Sequence, residues 1–126
     1  MFFFCNNNFI HSFTKVPLLN ISTNKEIKNE QMLLSKSSNF ISSLLNKPEK
    51  FVMVKLTDPL QMYFSGTNEP CCFIEIKSIG SLEPSEMSKP ICEFFSNELE
   101  ISIDRIYIFF QNVDSSMWAW NSKTFG

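Results

Sequence analysis

The 126-residue sequence carries no excess of positive charge: eleven Lys and Arg stand against thirteen Asp and Glu, a net charge of −2. With no basic cluster either, a surface that follows nucleic-acid phosphates is not expected. Histidine is almost missing. The single one, His11, falls outside the expected fold, which argues against a multi-histidine metal site and against an internal Ser-His-Asp or Cys-His arrangement. Apolar runs are only a few residues long, too short for a transmembrane segment, so no membrane insertion is expected. The four cysteines, at positions 5, 71, 72 and 92, match neither a disulfide framework nor a zinc-ligand spacing. Cys71 and Cys72 are adjacent and would point to opposite faces of a strand. A reducing or redox-indifferent setting follows. The length suits one domain with a hydrophobic core, small enough for oligomerisation to add substantially to burial.

What the chain does have is phenylalanine, fourteen in all, several of them where both sides of a strand would be apolar. The first residues, MFFFCNNNFIHSFTKV, set a phenylalanine run beside an asparagine run. Asn6 to Asn8 interrupt the apolar stretch and no small-residue cleavage site follows, so no signal peptide is evident. A mitochondrial-type leader should carry arginines, and none precedes Arg105. Residues 1–16 are read as an N-terminal extension: a disordered or adventitious tail, a misassigned start, a processed leader or an ordered addition. Residues 17–126 are read as the domain. The expected location is the cytoplasm, with secretion as the alternative.

Within the domain, LLNIS reads as a strand and NKEIKNEQMLLSKSSNFISSLLNKPEK as an amphipathic helix. Ile27, Leu33 or Leu34, Phe40 or Ile41, and Leu44 or Leu45 recur at three- and four-residue spacing. Thr23 or Asn24 would cap the start, and Lys47 with Pro48 would mark the end. FVMVKLT follows as a strand, QMYFSG as a shorter one, GTNEP as a turn and CCFIEIKSI as the next clear strand. Because Pro90 would break a helix begun at Pro84, the second helix is expected to start near Ser88, with Ile91, Phe94, Phe95 and Leu99 inward. RIYIFFQ is a strong strand, and the tail MWAWNSKTF alternates enough for one or two short ones. The order is a β-α-β unit used twice. An α+β fold with a four-stranded mixed sheet and both helices on one face results. On the other face Phe51, Met53, Tyr107 and Phe109 would be left uncovered, which another subunit would remedy.

PLLNIST, NKPEKFVMV, FSGTNEPC, KSIG and DRIYIFFQ…WAWNSKTFG, in that order, resemble the macrophage migration inhibitory factor and D-dopachrome tautomerase family. The resemblance spans residues 17 to 126 and implies the tautomerase fold, a homotrimer with pockets at subunit boundaries, and tail strands that reach a neighbour's sheet. It further implies keto–enol tautomerisation of phenylpyruvate-like acids or isomerisation of dopachrome-like compounds, with no cofactor and no metal. The partner would be a small aromatic α-keto acid. A protein receptor is a further implied partner, because animal members are cytokine-like, a role that fold alone does not transfer.

The family's proton-transfer agent is an N-terminal proline amine, matched here by Pro17. Partial burial and a nearby cation would favour the neutral amine, which can act as a base. Lys47 matches the pocket lysine and would hold the substrate carboxylate. Ile79 matches the pocket isoleucine, with Ser78 beside it. Tyr107 matches the tyrosine at the pocket mouth, where its hydroxyl could support developing oxyanion charge. Phe51, Trp120 and Phe125 would be aromatic walls, contributed within or across subunits.

Four departures accompany the resemblance. Phe109 stands where mammalian-type members have a substrate-contacting asparagine, which would make that wall more apolar. Cys71 and Cys72 do not reproduce the Cys-x-x-Cys pair of some members, whose second cysteine is matched by Ile74, so no thiol–disulfide activity is expected through them. The connection before the second helix is shorter, with its first turn expected to be missing. Lastly, Val16 precedes Pro17, and a proline nitrogen inside a chain belongs to an amide and is no base. With the extension retained, a catalytically silent trimer acting as a cytokine-like or protein-interaction module is the alternative reading.

Overall fold

The computed structural model describes residues 16–80 and 82–126. Of the expected extension, only Val16 lies within them; His11 and Cys5 fall outside.

Strand β1 (Pro17–Thr23) buries alternate residues, as a strand with one face on a core must. Helix α1 (Glu30–Leu45) packs Leu33, Ser37, Ile41 and Leu45 inward at four-residue spacing. It begins six residues later than Asn24. Asn24 is taken up elsewhere: its amide donates to the carbonyls of Asn68 (3.1 Å) and Glu69 (3.2 Å), and its oxygen accepts from the Cys71 N–H (2.9 Å). Thr23 stays in β1, its hydroxyl donating to the Cys71 carbonyl at 2.8 Å. Ile27 still packs against the core, but from a loop whose N–H donates to the Asp58 carboxylate at 3.0 Å. Asn29 is the cap, accepting from the Met32 N–H at 3.0 Å. The helix ends at Asn46, whose left-handed φ of 55° is the conformation asparagine tolerates at such a position.

A 3-10 turn at Glu49–Phe51 leads into β2 (Met53–Thr57). Phe51 therefore precedes the strand instead of opening it. The expected strand QMYFSG does not form; only Phe64 bridges to Thr67 across a turn with positive φ at Ser65 and Gly66. The chain then runs into Asn68–Pro70, which Asn24 and Arg105 hold by their backbone carbonyls. Among the described residues no strand extends the bridge.

Strand β3 (Cys72–Ser78) repeats the alternation of β1. Helix α2 (Pro84–Leu99) starts at Pro84 and runs through Pro90, so the first turn expected to be absent is present. An interior proline costs about 3 kcal/mol because it gives up one backbone hydrogen bond and crowds the carbonyl four residues back. Starting at Pro84 instead adds Met87 to a face that already buries Ile91, Phe95 and Leu99. That burial offsets the lost bond. Phe94 stacks on Phe40 of α1 with ring centroids 4.2 Å apart, tying the two helices together.

A second 3-10 turn (Ile103–Arg105) enters β4 (Ile106–Asn112), and the tail forms a hairpin of β5 (Ala119–Trp120) and β6 (Lys123–Thr124). The sheet order is β2-β1-β3-β4, with β1–β2 and β3–β4 parallel and β1–β3 antiparallel. Each parallel pair is crossed by one helix, and both helices cover the face bearing Leu19, Ile21, Val54, Leu56, Ile74, Ile76, Ile106 and Ile108. The opposite face is mixed. Met53 (63% exposed), Tyr107 (64%) and Phe109 (46%) stand on it, but so do Lys55, Lys77 and an Asn20–Glu75 hydrogen bond of 2.9 Å. Among the described residues no helix is long and apolar enough to cross a membrane.

Candidate active site

The sheet positions Pro17 at the start of β1, directly opposite Ser78 of β3. One step back along the β1–β2 register, from Leu18 beside Met53, places Pro17 next to Val52. At this end of the sheet lies a cavity of about 350 Å³, within the range of small-molecule sites. Val16, Pro17, Leu18, Lys50, Phe51, Val52 and Met53 line it from the first half of the chain, and Trp118, Ala119, Trp120 and Phe125 from the tail. The tail hairpin comes back over the β1–β2 edge because Asn121 and Ser122 take positive φ (55° and 72°), which turns the chain within two residues. The Phe125 N–H donating to the Trp118 carbonyl at 3.0 Å closes it. Its anchoring turn is built by Asp114, which accepts from the Ser116 N–H and hydroxyl, each at 3.1 Å. Those two bonds, the backbone one first, hold the Asp114 carboxyl below its ordinary pKa.

The walls are aromatic. Phe51 meets Trp120 edge to face at 5.9 Å, and Trp120 stacks parallel to Phe125 at 6.5 Å. Such walls suit a flat, partly apolar ligand. Pro17 itself is fully buried in the chain as it stands, with buried Val16 ahead of it.

Of the residues singled out by sequence, the fold brings Pro17, Phe51, Trp120 and Phe125 together around one space. Ser78 and Ile79 are buried and are not among the residues lining the cavity. Ser78 is the register partner of Pro17; its carbonyl accepts from the Val113 N–H at 2.7 Å, while its hydroxyl has no partner among the described residues. Lys47 is half-buried just past the end of α1, its N–H bonded to the Ser42 carbonyl at 2.9 Å, and is not among the residues lining the cavity.

Tyr107 and Phe109 lie elsewhere in the same chain. Tyr107 pairs with Phe73, which pairs with Ser22, five residues along from Pro17 and two strands across. Strand geometry makes that roughly 17 Å along the sheet and about 10 Å across it. Phe109 aligns through Glu75 with Asn20, closer but still two strands away. Tyr107 packs instead on Phe64, at 4.8 Å.

The other lining residues, Lys50, Met53 and Trp118 among them, were not singled out as site residues from sequence. Trp118 had a signal, since in the extended segment WAW it shares a side with Trp120. Lys50 had none, because a lysine near a helix end ordinarily reads as solvated.

The thiols belong to a different region. Cys71 and Cys72 are both buried, and burial, then the neighbouring Cys71 and Cys92, pushes the Cys72 thiol up to about 12. So little thiolate at neutral pH is the opposite of what a reactive cysteine needs.

Comparison with known proteins returns the same fold, a sheet of two β-α-β units joined antiparallel. The model of the macrophage migration inhibitory factor family matches residues 16–126. The homolog from Brugia malayi is 31% identical over 115 residues, covering 88% of this chain and 100% of that protein. The mouse macrophage migration inhibitory factor is 30% identical over 114 residues, covering 87% and 99%. Among solved structures, the homologue from Prochlorococcus marinus superposes with a TM-score of 0.81 at 41% identity, over 86% of this chain and 99% of that one. The chain belongs to the macrophage migration inhibitory factor family.

Proposed function

We propose that this protein is a keto–enol tautomerase or isomerase of phenylpyruvate-like or dopachrome-like substrates, with residues 17–126 as the catalytic domain and Pro17 as general acid and base. The observation that carries this reading is the placement of Pro17 in an aromatic cavity of about 350 Å³. Family membership supports the class of reaction. As the first residue of the mature chain, Pro17 would present a secondary amine. Its neutral form would take a proton from the carbon beside the substrate carbonyl and return it to the carbonyl oxygen, and the reverse sequence converts enol to ketone. The buried surroundings of Pro17 would disfavour the ammonium form and keep the base available near neutral pH.

In this reading Lys47 approaches to hold the substrate carboxylate, Ile79 and Ser78 back the proline, and Phe51, Trp120 and Phe125 hold the ring. Tyr107 and Phe109 stand too far from Pro17 of their own chain, so their contribution requires a neighbouring copy. A homotrimer, as the family implies, would supply it. The mixed, partly apolar open face is consistent with such contacts. No cofactor enters the scheme.

A second reading is favoured by one observation: Val16 precedes Pro17, and its carbonyl makes the proline nitrogen an amide. A trimer in that state would be a cytokine-like or protein-interaction module, with a receptor as partner. The test is turnover of phenylpyruvate by protein beginning at Pro17, set against its Pro17→Gly variant. A loss of at least about 100-fold in kcat/KM with an unchanged fold is expected. A well-folded Pro17 protein that neither binds nor turns over aromatic keto acids would leave the interaction module standing.

A further inference from the structure

Lys50 is the cationic side chain in the described wall of the cavity, otherwise apolar or aromatic in its side chains. Its Nζ sits 5.1 Å from the centroid of the Phe51 ring, and it takes part in none of the ion pairs formed among the described residues. A cation held against an aromatic face, in no ion pair among the described residues, is placed to receive an anion from a ligand. Its position along the site is set by register. Pro17 lies level with Val52, and Lys50 comes two residues earlier in the chain, beyond the start of β1 and so further out toward the mouth. A ligand that offers its reacting carbon to Pro17 must extend its other end past Phe51 and Trp120 toward Lys50.

We propose that Lys50 is a specificity-determining residue that binds an acidic group at the end of the ligand remote from Pro17. The cavity thereby favours aromatic α-keto acids carrying a second carboxylate on the ring over those with one carboxylate only. The inference rests on the tautomerase reading, in which Lys47 holds the carboxylate next to the reacting carbonyl. A single carboxylate then leaves Lys50 facing only Phe51, whereas a ring carboxylate satisfies it. Lys50 is exposed, so the preference is modest and falls as salt screens it.

The test uses protein beginning at Pro17, its Lys50→Gln and Lys50→Arg variants, and two probes: phenylpyruvate and the same acid with a carboxylate at the ring position opposite the side chain. KM for the dicarboxylate is expected to be roughly three- to fivefold below that for phenylpyruvate at low ionic strength. The ratio should fall to near one in Lys50→Gln and at high salt, and return in Lys50→Arg. Equal KM values for the two acids, or a preference that survives Lys50→Gln, would overturn the assignment while turnover of phenylpyruvate keeps the tautomerase reading intact. Turnover of neither acid by folded protein overturns both.

Discussion

The two halves of the molecule are built alike. β1 and β3 are each seven residues long with the same alternating burial, and α1 and α2 are each sixteen residues long. Each helix ends on a left-handed residue, Asn46 or Glu100, and passes through a 3-10 turn into a parallel strand. The first half has a cavity at the start of its leading strand; at the corresponding place in the second half a loop is fastened down. There Arg105 donates to the carbonyls of Pro70 (2.9 Å) and Glu69 (3.0 Å) and lies 5.2 Å over Phe64, fastening the loop across the end of β3. In the first half the matching turn carries Lys50 and Phe51, and the tail hairpin forms a wall instead of a plug. The repeated unit supplies a frame, and the two ends differ in what covers them.

That contrast can be broken at several depths. The core is shared by both halves, so Phe95→Ala is expected to lower stability by about 3–5 kcal/mol in a single cooperative urea transition. Two separate transitions would mean that the halves are independent bodies. Arg105→Ala removes the fastening of the second half alone. It should destabilise by about 1 kcal/mol and leave the fluorescence of Trp118 and Trp120 unchanged, since both lie at the other end; a changed emission would show the ends to be coupled.

The smallest effect concerns the turn that anchors the tail. Asp114 has its folded pKa lowered by Ser116. Its contribution is therefore present above the ordinary carboxylate pKa, about 4, and is lost as pH falls through the lower folded value. An acid titration of tryptophan emission should show this transition, and Asp114→Asn should abolish it. A transition unchanged in the variant would assign it to another carboxylate.

The strands were legible because alternation in PLLNIST, CCFIEIKS and RIYIFF survives into burial, with Leu19, Ile21, Ile74 and Ile76 all inside. Helix faces were legible for the same reason. Helix starts were not: Asn24 has the chemistry of a cap, but its hydrogen bonds go to a loop 44 to 47 residues away, which no local pattern reveals. Pro90 misled because the rule against interior proline weighs one hydrogen bond and not the burial of Met87 on the far side of it. At the cavity, Pro17, Phe51, Trp120 and Phe125 came through a family resemblance. Lys50 needed the path of the chain, since only the β1–β2 register brings that turn beside Pro17.

The central claim is that the cavity makes Pro17 a catalytic base once its nitrogen is an amine. The most direct measurement is the rate of phenylpyruvate tautomerisation by two proteins matched in fold, one beginning at Pro17 and one keeping Val16 ahead of it. The account predicts turnover in the first and a fall to the uncatalysed rate in the second. Equal turnover in both would show that the proline amine is not the base.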